Sequence, residues 1–172
     1  MKENYILTVK AEERPGLIHL VTGVIEKKLV PIKSLSYATT DIHDIILITI
    51  AVIGNESDLT QVALKIENIV EVFKVEVSLY NSTVCLRAAY FKMAKIFLDT
   101  PKVSALHQYN ALIINWYPDA FLVSKYGTDE TITKLYNALE GPHLLGFSQT
   151  GLISETGLIA HDDIERIIWL AA

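Results

Sequence analysis

The sequence predicts an α+β fold of two ferredoxin-like βαββαβ units joined near Tyr80–Thr83. Three observations lead there. The apolar period switches repeatedly between 2 and 3.6 residues along the chain. Proline, glycine, asparagine and aspartate punctuate those switches at turn positions. The second half then repeats the plan of the first with less regular spacing.

In the first half, Ile6–Val9 reads as a strand ending at the Pro15-Gly16 turn. A helix follows, with Leu17, Leu20, Val21, Val24 and Ile25 at the spacing of one apolar face, and Pro31 marks its end. Ile32–Thr39 alternates in the period of a strand, and Ile45–Ile53, almost all apolar, reads as a central strand. Ser57 or Asp58 is expected to cap a second helix carrying Leu59, Val62, Ala63, Ile66 and Ile69. Val72–Leu79 alternates again and closes the unit. Two helices cover one face of such a sheet, so the other face is expected to need a partner, which predicts dimerisation.

In the second half, Val84–Phe91 reads as a strand, and Met93–Phe97 as the start of a helix that Pro101 interrupts. Leu112–Trp116 and Ala120–Tyr126 form a hairpin around Pro118-Asp119. Thr128 caps a helix bearing Ile132, Leu135, Tyr136 and Leu139, which Gly141-Pro142 ends. Leu144–Ile159 reads as a closing strand and turn, and Asp162–Leu170 as a short helix with Ile164, Ile167, Ile168 and Trp169 on its apolar side. The division is therefore expected at residues 1–80 and 81–172.

Composition narrows the function classes. At 51% hydrophobic and 20% charged the 172-residue chain is globular, with apolar content left over for an interface. The net charge of −5 is spread evenly: residues 1–80 hold 8 basic and 11 acidic side chains, residues 81–172 hold 7 and 9. Without a basic stripe, nucleic-acid binding has no electrostatic support. No apolar run is long enough to span a bilayer, and Lys2, Glu3 and Asn4 do not open a signal peptide. The single Cys85 excludes an internal disulfide and fits a reducing compartment, with the cytoplasm as the expected location.

Catalytic and metal chemistry find no foothold. The five histidines, His19, His43, His107, His143 and His161, share no ligand spacing. His161-Asp162-Asp163 reads as a solvated helix start and Asp41–Asp44 as a hairpin turn. Cys85 sits in an apolar strand context as an inert thiol, and Trp116 and Trp169 read as core or interface anchors. Gly151–Gly157 lacks the Lys-Ser/Thr ending of a phosphate loop. No cofactor is expected.

One place does suggest a ligand. Pro15 fixes a dihedral, Gly16 allows close approach, and the N–H groups of Gly16, Leu17 and Ile18 lie at a helix N-terminus suited to a small carboxylate. The plainer reading is that Pro-Gly only starts the helix.

The first half resembles an ACT domain, an amino-acid-binding regulatory module, through Ile6-Leu7-Thr8-Val9, Pro15-Gly16-Leu17, Val21, Gly23, Ile32-Lys33-Ser34-Leu35, Ala38 and Thr40-Asp41. The whole chain resembles the small regulatory subunits of acetolactate synthase. Leu86-Arg87 opens the second half, and Gly151-Leu152-Ile153-Ser154 is similar to that family's closing Arg-Thr-Gly or Arg-Ser-Gly stretch. The resemblance implies a non-catalytic partner of the thiamine-diphosphate-dependent large subunit, raising its activity and conferring feedback by branched-chain amino acids, mainly valine. It implies a homodimer through the ACT domains, with the effector between Glu13, Gly16, Leu17 and Ile18 of one protomer and Pro31 and Ile32 of the other. A stand-alone amino-acid sensor is the alternative.

Two departures bear on that site. The family commonly has asparagine at the positions of Glu13 and Pro31, and an amide can both donate and accept where a carboxylate only accepts and a proline offers nothing. The glycine usual before the second strand is also replaced, around Leu29-Val30. Activation of the enzyme with weak or no valine binding is the resulting expectation, against backbone amides alone still holding the ligand.

Overall fold

Strand β1 (Glu3–Glu12) is paired on both sides, with β3 (Ile45–Gly54) and β4 (Val72–Leu79), and β2 (Ile32–Thr39) lies beyond β3. The computed structural model describes residues 2–159, and the expected helix at Asp162–Leu170, with Trp169 and His161, lies outside them. All neighbours are antiparallel, giving the order β2-β3-β1-β4 of a ferredoxin-like sheet. Helices α1 (Leu17–Lys27) and α2 (Glu56–Glu67) cross over on one face. There Tyr5, Leu7, Val9 and Ala11 of β1 meet Leu17, Val21 and Ile25 of α1 and Leu59, Val62 and Ile66 of α2. Each such large side chain, once buried, contributes about 1.5–3 kcal/mol. The α1 stripe is narrower than expected: Leu20 is 50% exposed, because a helix lying on a sheet buries its i, i+4, i+8 row and leaves the flanks out.

Helix α2 starts two or three residues earlier than the Ser57 or Asp58 cap supposes. Asn55 is the N-cap, its side-chain amide donates to the Asp58 carboxylate at 3.1 Å, and Ser57 and Asp58 lie inside the helix. The preceding Gly54 lets the chain turn there, since a Cβ would stand 3.2 Å from Leu59.

The opposite face of this sheet is not bare. Ile6, Thr8 and Lys10 of β1 are at most 2% exposed. The segment 152–158 lies on this face: the Thr8 and Thr156 hydroxyls are 2.8 Å apart, and Lys10 Nζ donates to the Leu158 carbonyl at 2.8 Å. The expectation of a bare face is thus corrected, because the chain supplies part of the cover itself. By packing, residues 151–159 go with the unit that ends at Val84, and Cys85–Thr150 forms the other unit.

That second unit has the same plan: β5 (Cys85–Ala94), α3 (Ser104–Gln108), β6 (Leu112–Trp116), β7 (Ala120–Gly127), α4 (Asp129–Leu139) and β8 (Leu144–Gln149), in the order β6-β7-β5-β8. The expected helix at Met93–Phe97 does not form. Ala89, Phe91 and Met93 alternate buried with exposed Tyr90 and Lys92, so β5 keeps its period of 2 to Ala94, and a 3-10 turn at Lys95–Asp99 buries Phe97. Pro101 opens a second 3-10 turn rather than interrupting a helix. The hairpin at Pro118-Asp119 and the Thr128 cap, whose hydroxyl accepts from Thr131 N–H, match expectation. Arg87, buried on β5, holds the start of α4 through a two-pronged ion pair with Asp129.

Candidate functional site

The turn between β1 and α1 is a type II β-turn. Leu17 N–H donates to Arg14 O at 3.2 Å, Pro15 stands second, and Gly16 has φ 87° and ψ −8°, the left-handed geometry that only glycine adopts without strain. Of the three amides expected to be free, Leu17's is therefore spent on the turn. Those of Gly16 and Ile18 have no acceptor among the described residues. Helix α1 also has no side-chain cap and no acidic residue in its first turn. Its positive end faces outward without an internal anion.

Beside these amides lies an open depression of about 470 Å³ lined by Glu13, Arg14, Pro15, Gly16, Leu17, Ile18 and Tyr37. The structure thus brings together Glu13, Gly16, Leu17 and Ile18 of the expected site. Pro31 and Ile32 do not line it within one chain: Pro31 O accepts from Ile53 N–H at 3.1 Å, and Ile32 pairs with Val52.

Tyr37 is the residue the sequence reasoning missed. Its hydroxyl donates to Glu13 Oε1 at 2.9 Å, while Glu13 N–H donates to Asp44 O at 2.7 Å. Burial, reinforced by this bond to the Glu13 carboxylate, holds the Tyr37 hydroxyl above its ordinary pKa, so it stays a donor. Glu13 is thereby fixed at the rim with one oxygen engaged. The alternation of β2, with Leu35 and Tyr37 on the helix-side row, was the available signal. Arg14, the cation of the depression, is shared between Glu12 at 3.4 Å and Glu71 at 3.7 Å.

The corner before β2 carries backbone strain. Leu29 has φ 53°, with Leu29 N–H on Glu26 O and Val30 N–H on Ile25 O, the paired bonds of a Schellman motif whose left-handed position usually holds glycine. This is the corner, around Leu29-Val30, where the resemblance leads to the expectation of a glycine.

A larger open cavity, about 620 Å³, is lined by Tyr5, Glu56, Ser78, Thr83, Glu155 and Thr156 among others. No motif pointed to it. Among the described residues no group of three or more histidine, cysteine or acidic side chains is placed to hold a metal ion, and no helix is long and apolar enough to cross a membrane. Cys85 is buried, and Trp116 packs on Phe121 with ring centroids 5.5 Å apart while remaining 55% exposed.

No family model matches the chain. Individual proteins do. The chain is 22% identical over 151 residues to an acetolactate synthase small subunit of Mycolicibacterium smegmatis, covering 87% of this chain and 89% of the relative. It is 25% identical over 151 residues to that of Haemophilus influenzae, covering 87% and 93%. A probable acetolactate synthase small subunit of Archaeoglobus fulgidus is 22% identical over 153 residues, covering 87% and 94%. Among solved structures, the acetolactate synthase small subunit of Thermotoga maritima shares the fold, with a TM-score of 0.80 at 16% identity over 88% of this chain and 96% of that one. The resemblance read from the sequence is thus found again over most of the chain, from three distant organisms and in the fold.

Proposed function

We propose that this chain is a non-catalytic regulatory subunit that binds and activates the thiamine-diphosphate-dependent large subunit of acetolactate synthase in branched-chain amino-acid biosynthesis. The observation that carries the reading is the similarity along nearly the full length of several acetolactate synthase small subunits, spanning both units rather than the first alone. A stand-alone sensor would need only the first.

The depression at Glu13–Ile18 is the proposed effector site, completed in a homodimer by Pro31 and Ile32 of the other protomer. The free amides of Gly16 and Ile18 suit a carboxylate. Glu13, held by Tyr37 through one oxygen, keeps the other for an ammonium group. A zwitterionic amino acid supplies both charges. Its carboxylate must still lie near that of Glu13, and this repulsion is why weak binding is expected.

The test is to mix the purified chain with its cognate large subunit and assay acetolactate formation from pyruvate, with and without valine. Activation several-fold over the large subunit alone supports the reading. No activation by a verified cognate partner turns it to the stand-alone sensor. Glu13→Asn is expected to tighten valine binding about tenfold by removing the like charge, and a calorimetric titration showing equal or weaker binding would refute that role for Glu13.

A further inference from the structure

The glycine-punctuated stretch at residues 151–157, which no phosphate-loop chemistry explains, is a fitted strap on the first unit. A Cβ at Gly151 would stand 2.9 Å from the Leu35 carbonyl oxygen, so bare backbone is required where the strap crosses β2, and one at Gly157 would stand 2.6 Å from Leu47 Cδ2, a side-chain end that would have to swing aside. Ser154, Thr156 and Thr8 form a chain of hydroxyls with 2.8 Å steps. Glu155 ties the strap to the end of the unit, accepting from Val84 N–H at 2.8 Å while its own N–H donates to Val84 O at 3.0 Å.

Lys10 is the unusual member. It is 2% exposed, in the middle of β1, and its ammonium donates to the Leu158 carbonyl at 2.8 Å with the Glu76 carboxylate 3.9 Å away. A buried ammonium is tolerated only where such partners are fixed. The strap supplies one of them. Three residues further along the chain, just past the end of β1 at Glu12, stands Glu13 at the mouth of the proposed effector site. At its other end the strap continues directly from β8 of the second unit through Thr150.

We infer that the strap Gly151–Leu158, latched on β1 by Lys10 and Thr8, is coupled to the occupancy of the Glu13–Ile18 turn, with Lys10 as its positioning residue. The inference rests on the effector reading above. A closed latch holds β1, and with it the turn, in the geometry that presents the Gly16 and Ile18 amides. By linkage, a ligand that prefers this geometry closes the latch by the factor that closure adds to its affinity.

Hydrogen exchange on the full-length chain, with valine as the probe and calorimetry alongside, tests this. Lys10→Met keeps the stem and removes the donor, and leaves Glu76 paired with Lys74 at 2.6 Å. It is expected to speed exchange of the amides at 152–158 about tenfold without ligand and to weaken valine binding by a similar factor, within the usual range of coupling. Saturating valine is expected to slow the same amides in the parent chain. Thr156→Val, a milder release, gives the same pattern at smaller size should Lys10→Met fail to fold. Valine bound by calorimetry with unchanged exchange at 152–158 would overturn the coupling. Unchanged exchange in both ligand-free variants would overturn the latch. Absence of any valine binding by the parent chain would instead remove the effector reading and the coupling with it, while the ligand-free comparison still decides the latch.

Discussion

The two βαββαβ units turn the corner from first helix to second strand in the same way, with different residues. In the second unit Asn110 occupies the left-handed position at φ 49°, and Ala111 N–H reaches back to Leu106 O. In the first, Leu29 does so at φ 53°, with Val30 N–H on Ile25 O. The bond pattern is identical, so topology fixes the backbone geometry and the sequence decides how comfortably it is met. Asparagine tolerates the left-handed region; leucine is strained there by about 1 kcal/mol. The strained corner is the one two residues before Pro31, in the unit that carries the proposed effector site. The units differ on their sheets as well. Every β1 residue from Tyr5 to Ala11 is buried, whereas Tyr90 and Lys92 of β5 are open to solvent.

The difference between the sheets is broken most directly through glycine. Gly151→Ala places a Cβ against the Leu35 carbonyl, a backbone atom that cannot rotate away, and is expected to cost about 1–3 kcal/mol. In the second unit, Gly146→Ala brings a Cβ no closer than 3.8 Å to Lys92 and is expected to be neutral or slightly stabilising. Urea unfolding of both variants measures this. A Gly151→Ala variant as stable as the parent would mean that the strap does not press on β2 as described.

These contrasts show what was legible in the sequence. Strands such as Ile32–Thr39 and Val72–Leu79 were readable to the residue, because alternation is a local signal and both ends carry turn residues. The Pro15-Gly16 turn was readable for the same reason. What local pattern could not give was the use of residues far apart in sequence. Lys10 looks like an ordinary outward lysine in an alternating strand until Leu158, 148 residues later, is placed above it. Glu13 reads from the sequence as an effector-site carboxylate with no partner of its own, until Tyr37 is found to hold it. The run from Met93 to Phe97 was misread because Met93 continues a strand and Phe97 fills the core from a 3-10 turn, two buried residues that mimic one helical face.

The corner comparison is sharpened by giving both units glycine. Leu29→Gly is expected to stabilise the chain by about 0.5–1 kcal/mol, relief of left-handed strain outweighing the flexibility added to the unfolded state, since the 88% exposed side chain forfeits little burial. Asn110→Gly is expected to change stability by a few tenths at most. Thermal melts of the two single variants decide it, and a Leu29→Gly chain that melts lower than the parent would show that the leucine side chain has a packing role its exposure does not reveal.

The smallest expected effect concerns the Glu13–Tyr37 pair, for which the second unit has no counterpart because Leu112–Trp116 offers no hydroxyl. Burial and the Glu13 bond raise the Tyr37 pKa in the folded chain. A raised folded pKa means that the neutral phenol is favoured by folding. Its contribution is therefore complete below the ordinary tyrosine pKa and is lost as the pH climbs through the folded value. Glu13→Gln removes the charge but keeps an acceptor, so Tyr37 should titrate at lower pH than in the parent, though burial still holds it above the unperturbed value. Spectrophotometric titration of tyrosine ionisation, with Tyr37→Phe to assign the component, reads the shift. If parent and Glu13→Gln titrate alike, the carboxylate is not held at the rim by this hydroxyl, and its second oxygen is no longer positioned for an ammonium group.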